Sequence, residues 1–388
     1  MRQLKFIAVS LLLCVSCLEP YSPKLNSDST NALVVDGHID ATGAASILLS
    51  HATPIYDFSD FPVEGGAVVQ VRSSGGETFD LKEEPAGTYK ASDLPFDKST
   101  EYTLYIRTTA GKEYESDIVK VHPTPPVGRV FFTVSPTGDD VEIRTTSRDV
   151  SPDATGYYAF ECIETYEYTS QYFSRYKRIK ESPIPVLRHK GEFVDTCWHE
   201  LPVPITTAST KQLANNLISG QRLTVINKFS KKISRRYSIL VRQRAISQQE
   251  YAYRNLLDKT QNQQGSIFAE IPGPVVGNVH SITDPYETVL GYFHGQEIKE
   301  QRYFLERFML PESLQVPLPP EQCDIEPTCP TDTPSTGPNT CIDVELLSAS
   351  KIIIDAFEFE NSTVYTFSTT ACGDCTVTGG TTKVPFYW

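Results

Sequence analysis

Cys372-Gly-Asp-Cys375 sets two thiols three residues apart, a spacing found in dithiol redox centres and in halves of zinc sites. A redox pair needs its first thiol at a helix N-terminus, where the dipole lowers the thiol pKa. The Thr, Val and Gly around this pair favour strands and turns instead. A zinc site would recruit Cys323, Cys329 and Cys341, but their separations follow no regular ligand pattern, and thiols in an oxidising compartment tend to pair. The seven histidines, His38, His51, His122, His189, His199, His280 and His294, are scattered and include no H-x-x-x-H helix pair. There is no G-x-S-x-G elbow and no Gly-rich phosphate loop after a strand. Carboxylates are so abundant that no two stand out as a glycosidase couple. The expectation is a non-enzyme with no catalytic, metal-binding or cofactor-binding residue.

The cysteines have a different use at the N-terminus. Arg2 and Lys5 precede an apolar run, Phe6 to Leu13, far shorter than the roughly 20 residues of a membrane-spanning helix. That is the layout of an export signal. A lipoprotein signal ends in a small residue directly before the cysteine that is acylated, and Val15-Ser16-Cys17 fits this pattern. Cys14 fits worse, because bulky Leu13 would precede it. Residues 1–16 are therefore expected to be a signal peptide and Cys17 the lipidation site, whose several acyl chains anchor stably where one would not.

The formal charge of −13 becomes −15 when Arg2 and Lys5 leave with the signal. Such a balance argues against nucleic acid or an anionic membrane surface as a partner, since both require a basic face. No later stretch approaches a transmembrane run, so the membrane is reached through the lipid. Cys162, Cys197, Cys323, Cys329, Cys341, Cys372 and Cys375 are candidate disulfide cysteines, and their odd number leaves one thiol over or one bridge to a partner. Five of them lie between Cys323 and Cys375, which suggests a local C-terminal cluster whose pairing the sequence does not specify.

The elements that must carry these residues read as mainly β. Residues 17–31 are polar and Pro-containing, a tether. Over 32–121 come about seven short strand-like segments, such as ALVVD, AVVQVRSS and EYTLYIRTT, separated by Gly-rich turns. Tyr102, Leu104 and Ile106 alternate with polar neighbours at the period of a half-buried strand. This predicts an immunoglobulin-like or transthyretin-like β-sandwich. His122 to Gly128 (HPTPPVG) holds three prolines, which cannot join a central ladder, and is expected to be a linker. Residues 129–388 read as a larger β-rich domain with one inserted helix near 247–260. Its start, Ser247-Gln-Gln-Glu250, is a capping box in which the serine accepts from the Glu250 amide and the carboxylate reaches back. Residues 311–341 form a Pro- and Cys-rich irregular segment, with eight prolines between 311 and 340.

Tyr157, Tyr158, Tyr166, Tyr168, Tyr172 and Tyr176 crowd one stretch. Tyrosine is favoured inside strands, where it packs, and also at interfaces. Tyr166, Tyr168 and Tyr172 are thus a candidate aromatic interaction surface, to be weighed against plain strand packing.

Three stretches resemble a known family: LVVDGHI with PVEGGAVVQVRSSGGETFDL; GSIFAEIPGPVVGNVHSITDPYETVLGYF; and the ending CGDCTVTGGTTKVPFYW. Their most specific parts are GN-x-x-S-x-x-D-x-x-E-x-VLGYF and D-C-x-x-x-GG-T-x-x-x-P-x-x-W. The chain resembles the Bacteroidota lipoproteins grouped as domain of unknown function 4249. The resemblance implies an outer-membrane lipoprotein, expected at the cell surface, with no catalytic residues to carry over and a TonB-dependent receptor as the neighbouring gene product. The expectation is a lipid-anchored accessory or ligand-capture partner of a TonB-dependent transporter. A free-standing surface module binding glycan or protein in adhesion is the alternative.

Overall fold

A computed structural model of the chain describes residues 31–53, 62–179, 184–263, 274–318, 323–327, 350–359 and 362–388. Cys17, the signal and nearly all of the tether lie outside the described residues, as do Cys329 and Cys341. The first region gives strands β1 (Leu33–Asp40), β2 (Ala45–His51), β3 (Val68–Ser73), β4 (Thr78–Asp80), β5 (Lys82–Glu83), β6 (Thr88–Ala91), β7 (Glu101–Arg107), β8 (Glu113–Ser116) and β9 (Val119–Lys120). Next come β10 (Val127–Val134), β11 (Asp140–Arg148), β12 (Tyr157–Thr169), β13 (Tyr176–Lys177), β14 (Val186–Leu187), β15 (Thr196–Ser209), β16 (Leu217–Asn227) and β17 (Arg236–Ala245). Helix α1 (Gln248–Gln263) follows, then β18 (Val279–Ser281), β19 (Val289–Gln296), β20 (Lys299–Glu306), β21 (Glu326–Pro327), β22 (Lys351–Phe359) and β23 (Ser362–Thr369). The protein is mainly β, as its strand periodicities predict.

The first unit is a sandwich. Sheet β19-β1-β2-β6-β5 packs on sheet β18-β8-β7-β3-β4, with β9 added to β7. Alternation decides what enters its core: Tyr102, Leu104 and Ile106 of β7 point inward against Val35 and Ile47. One expectation needs correction. The sandwich does not end at residue 121, because β18 pairs antiparallel with β8 and β19 pairs parallel with β1, from Leu33↔Val289 to Asp40↔Gln296. A parallel partner is reached by a long crossover, so no local turn in the sequence announces it. Val279, Val289 and Phe293 complete the core, and burying a side chain of this size stabilises by about 1.5–3 kcal/mol. Gly291 makes the pairing possible: its φ is +91°, and a β-carbon there would collide with the Val35 carbonyl.

In the second unit, sheet β10-β11-β16 faces sheet β15-β12-β17-β20, and the sheets meet at both edges, β16 beside β15 and β10 beside β20. Val141, Ile143, Phe160, Ile239 and Val241 fill this barrel-like interior. Helix α1 covers part of the outer face of the larger sheet, with Tyr251 stacked 4.9 Å from Tyr157 and Asn255 accepting from the Thr207 hydroxyl at 3.1 Å. The Pro-rich stretch expected as a linker is pinned between the units. The Thr124 amide donates to Glu297 (2.9 Å), its hydroxyl accepts from the Ala245 amide (2.9 Å), and Gln243 donates to the Pro125 carbonyl (2.9 Å).

The C-terminal region adds sheet β21-β23-β22. Its last residues lie across the outer face of the barrel's larger sheet. Trp388 packs edge-on against Trp198 and Phe304 beneath the Arg236 guanidinium, and Arg302 stacks on Tyr387 at 3.5 Å.

Candidate functional site: a buried charge network at the junction

The residues between β17 and α1 place a strand-end arginine beside a helix-start glutamate. Arg244, 1% exposed, donates from Nη2 to Glu250 Oε1 at 2.6 Å and from Nε to Glu161 Oε1 at 3.2 Å. Arg254, one turn along α1, donates to the same Glu250 oxygen at 2.7 Å. Only half of the predicted capping box forms. The Glu250 amide donates to Ser247 Oγ at 3.0 Å, but the carboxylate turns to the arginines, whose charge-assisted bonds outweigh a bond to a backbone amide.

Two strands of the sandwich bring histidines to this network. His38 of β1 and His294 of β19 are register partners, with ring centroids 5.8 Å apart. Burial lowers the pKa of His38, His122 and His294, and the nearby Arg244 lowers that of His294 further. Burial alone would raise the Glu250 pKa, but Arg244 and Arg254 hold it far below the carboxylate range. At neutral pH the network therefore holds an ionised Glu250, a charged Arg244 and neutral imidazoles.

Between β9, β19 and the first turn of α1 lies a cavity of about 230 Å³, lined by Lys120, His122, Ser247, Glu250, Tyr292 and His294 among others. It is smaller than the roughly 300–1,000 Å³ of pockets for drug-sized ligands, so it suits a molecule of few heavy atoms. Burial pushes the Tyr292 hydroxyl up to about 12, so the phenol is neutral. Among the described residues, His294 Nδ1 and Arg244 Nη1 are buried without a hydrogen-bond partner. Among the described residues, no group of three or more His, Cys, Asp or Glu could hold a metal ion.

The cysteines singled out from sequence take structural roles. Cys375 pairs with Cys197 of β15 and Cys372 with Cys323, so the C-x-x-C cysteines bond to different partners and not to each other. The expected local cluster is thus half right in place, since one bridge spans 178 residues. Cys162 is a free thiol inside the barrel, its pKa pushed up to about 12 by burial.

Of the three tyrosines put forward as an interaction surface, Tyr168 is buried and Tyr166 and Tyr172 are half-buried, each with a hydrogen-bond partner. Tyr168 is 4% exposed and donates to the Cys375 carbonyl at 2.7 Å; Tyr172 donates to the Cys323 carbonyl at 2.7 Å; Tyr166 bonds His199 at 3.1 Å. All three face the disulfide-bearing C-terminal segment or the strand beside it, because the pleat of β12 turns Tyr166 and Tyr168 to one side.

The two most specific motifs of the sequence land on two seams. In the first, the Asn278 side chain spans the Phe293 amide and carbonyl at 2.9 and 2.8 Å, Ser281 Oγ accepts from the Asp284 amide, and Glu287 accepts from Lys112 (2.9 Å) and Tyr114 (3.0 Å). These bonds fasten β18 and β19 to the sandwich. In the second, Asp374 caps the turn after it, Thr381 exchanges two 2.9 Å backbone bonds with Trp198, and a β-carbon on Gly380 would lie 2.5 Å from the Tyr168 hydroxyl.

Fold and seams together define a mainly β protein of two units with a polar junction and a disulfide-bonded C-terminal region. The model of the domain of unknown function DUF4249 matches residues 18–302, most of the chain, and the chain belongs to that family. No curated protein matches it in sequence. Among solved structures, a Salmonella alpha-2-macroglobulin mutant aligns at 9% identity and a TM-score of 0.16, over 59% of this chain and 14% of that one, a likeness too loose to carry an argument.

Proposed function

We propose that the protein is a lipid-anchored outer-membrane protein of the Bacteroidota type, held through Cys17, that serves as a non-catalytic, ligand-capturing accessory of a TonB-dependent transporter. The observation that carries this reading is the short export signal ending in Val15-Ser16-Cys17. Two further features support it. The two disulfides suit a compartment outside the cytoplasm, and the Gly277–Glu287 motif inside the family match is spent on joining strands. The test is co-purification of the tagged protein from gently solubilised outer membranes, with Cys17→Ala as control. A β-barrel transporter recovered in stoichiometric amount with the wild type, and a variant released from membranes, are the expected results. Recovery of the lipoprotein alone would remove the transporter from the account, and a membrane-retained variant would remove the anchor.

One observation favours the second reading, a free-standing surface module that binds glycan or protein. An open groove of about 780 Å³ runs along β10, β11 and β16, with Phe131 and Tyr251 beside the Glu142–Arg144 pair. Saturable binding of a polysaccharide by the isolated protein, abolished by Phe131→Ala, would support it.

A further inference from the structure

We propose that the open groove on the barrel binds a neutral oligosaccharide, with Phe131 against the face of one sugar ring and the Glu142–Arg144 pair taking two adjacent hydroxyls at its rim. The inference rests on the second reading above, the surface module, and names the ligand class of its groove.

Glu142 and Arg144 stand two residues apart on β11 and line the groove together. Arg144 donates from Nε and Nη2 to Glu142 Oε2 at 3.0 and 2.6 Å, and from Nη1 to the Gly220 carbonyl at 2.8 Å. A guanidinium carries five N–H groups, so one N–H on each terminal nitrogen is left over. On the carboxylate, Oε2 takes the Arg144 bonds, while Oε1 accepts no hydrogen bond among the described residues; Arg222, itself exposed, lies 3.6 Å from it. The buried polar atoms that lack a partner do not include Glu142 Oε1, so this oxygen meets solvent. Of the Arg144 side chain, 31% is exposed. Gly220 keeps the place uncovered: a β-carbon there would lie 3.9 Å from both Arg144 Nη1 and Phe131 Cζ, so a side chain would stand over the guanidinium and the ring together.

Phe131, half-buried on β10, offers an apolar plate, and Tyr251 of α1, its ring backed by Tyr157, lines the same groove. The volume of about 780 Å³ falls within the roughly 300–1,000 Å³ of small-molecule pockets, and the groove is open, so a chain can extend beyond it. Charge then selects the ligand. The hydrogen bond from Arg144 holds the Glu142 carboxyl below the usual carboxylate range, so acceptor and donor stand side by side as ions that offset each other. A hydroxyl both donates and accepts. Of two neighbouring hydroxyls on a sugar ring, one donates to Glu142 Oε1 and the other accepts from an Arg144 N–H, and both bonds are charge-assisted. The C–H face of the ring packs on Phe131. A carboxylate on the ring would bring a like charge to Glu142 and is selected against.

Calorimetric titration of the protein lacking residues 1–17 with mannohexaose and with hexamannuronate, which differ by a carboxylate on each ring, tests this; maltohexaose and cellohexaose serve as further neutral probes. At least one neutral hexasaccharide should bind saturably, and hexamannuronate should bind at least about tenfold more weakly. Hydrogen exchange of the sugar-bound protein should slow in residues 131–134 and 218–221. Phe131→Ala and Glu142→Gln, each folded by circular dichroism, should weaken neutral binding at least about tenfold, and Glu142→Gln should also narrow the preference against hexamannuronate. Hexamannuronate bound as tightly as the neutral sugars, binding unchanged in either folded variant, or neutral binding that protects other residues instead would overturn the inference and leave the surface-module reading standing. No saturable binding of any of these sugars would overturn the inference and remove the glycan form of that reading with it. Wild-type selectivity and protection decide it where a variant does not fold.

Discussion

The two seams of this molecule are built from opposite chemistry. Where the sandwich meets the barrel, the contact is ionic and titratable: Arg244, Glu250, Arg254 and three neutral histidines around a small cavity. Where the C-terminal region meets the barrel, it is covalent and aromatic: the Cys197–Cys375 bridge, the buried Tyr168 and the stack of Trp198, Trp388 and Phe304. The first seam answers to protons and the second to reductant. The account's central claim is that β18, β19 and the Arg244–Glu250 network make sandwich and barrel one cooperative body.

The comparison can be broken in several places. The largest effect is expected from expressing residues 32–121 alone, which lack β18 and β19 and leave β1 without its parallel neighbour. Such a fragment should show no dispersed amide spectrum, and a well-dispersed one would refute the shared sandwich. Next, Glu250→Ala strands the buried Arg244 and should cost about 3–5 kcal/mol in denaturant unfolding. Removing the C-terminal bridge by Cys197→Ala with Cys375→Ala should cost about 2–5 kcal/mol, and hydrogen exchange should rise in residues 362–388 while the sandwich stays protected.

Between pH 7 and 5, acid should act on the first seam through its three buried histidines. His38, His122 and His294 have lowered folded-state pKa values, so the unfolded chain binds more protons below about pH 6.5 and stability falls as pH drops through that point. Each contributes a loss of up to about 1.4 kcal/mol per pH unit. Glu250, whose pKa is also lowered, adds its share only below about pH 4.5. Thermal melts between pH 7 and 5 should show this decline, and it should persist in the bridge-less variant. The smallest change, Tyr387→Phe, removes hydrogen bonds to Thr165 (2.9 Å) and Glu200 (3.0 Å) and should cost about 1 kcal/mol.

Much of the fold is legible in the sequence because strand periodicity is local. The alternation around Tyr102, Leu104 and Ile106 places β7, and Ser247 marks the start of α1. The site is not legible, since it is made by contacts between distant segments. His38 and His294 sit 256 positions apart in sequence and become neighbours only through the parallel β1–β19 pair. A partial signal lies in β19, where His294 follows the run Val289–Phe293, which holds no charged residue. Glu250 reads as part of a cap, but nothing local says that Arg244 turns to meet its carboxylate. The C-x-x-C pair misleads for the same reason, because its partners, Cys197 and Cys323, are set by β15 and the Pro-rich segment.

Scanning calorimetry of the oxidised wild-type protein at pH 7, beside Glu250→Ala, tests the central claim most directly. The account expects sandwich and barrel to unfold in one cooperative transition in the wild type and in two separable transitions in the variant. Two independent transitions in the wild type, or an unchanged single transition in the variant, would contradict it.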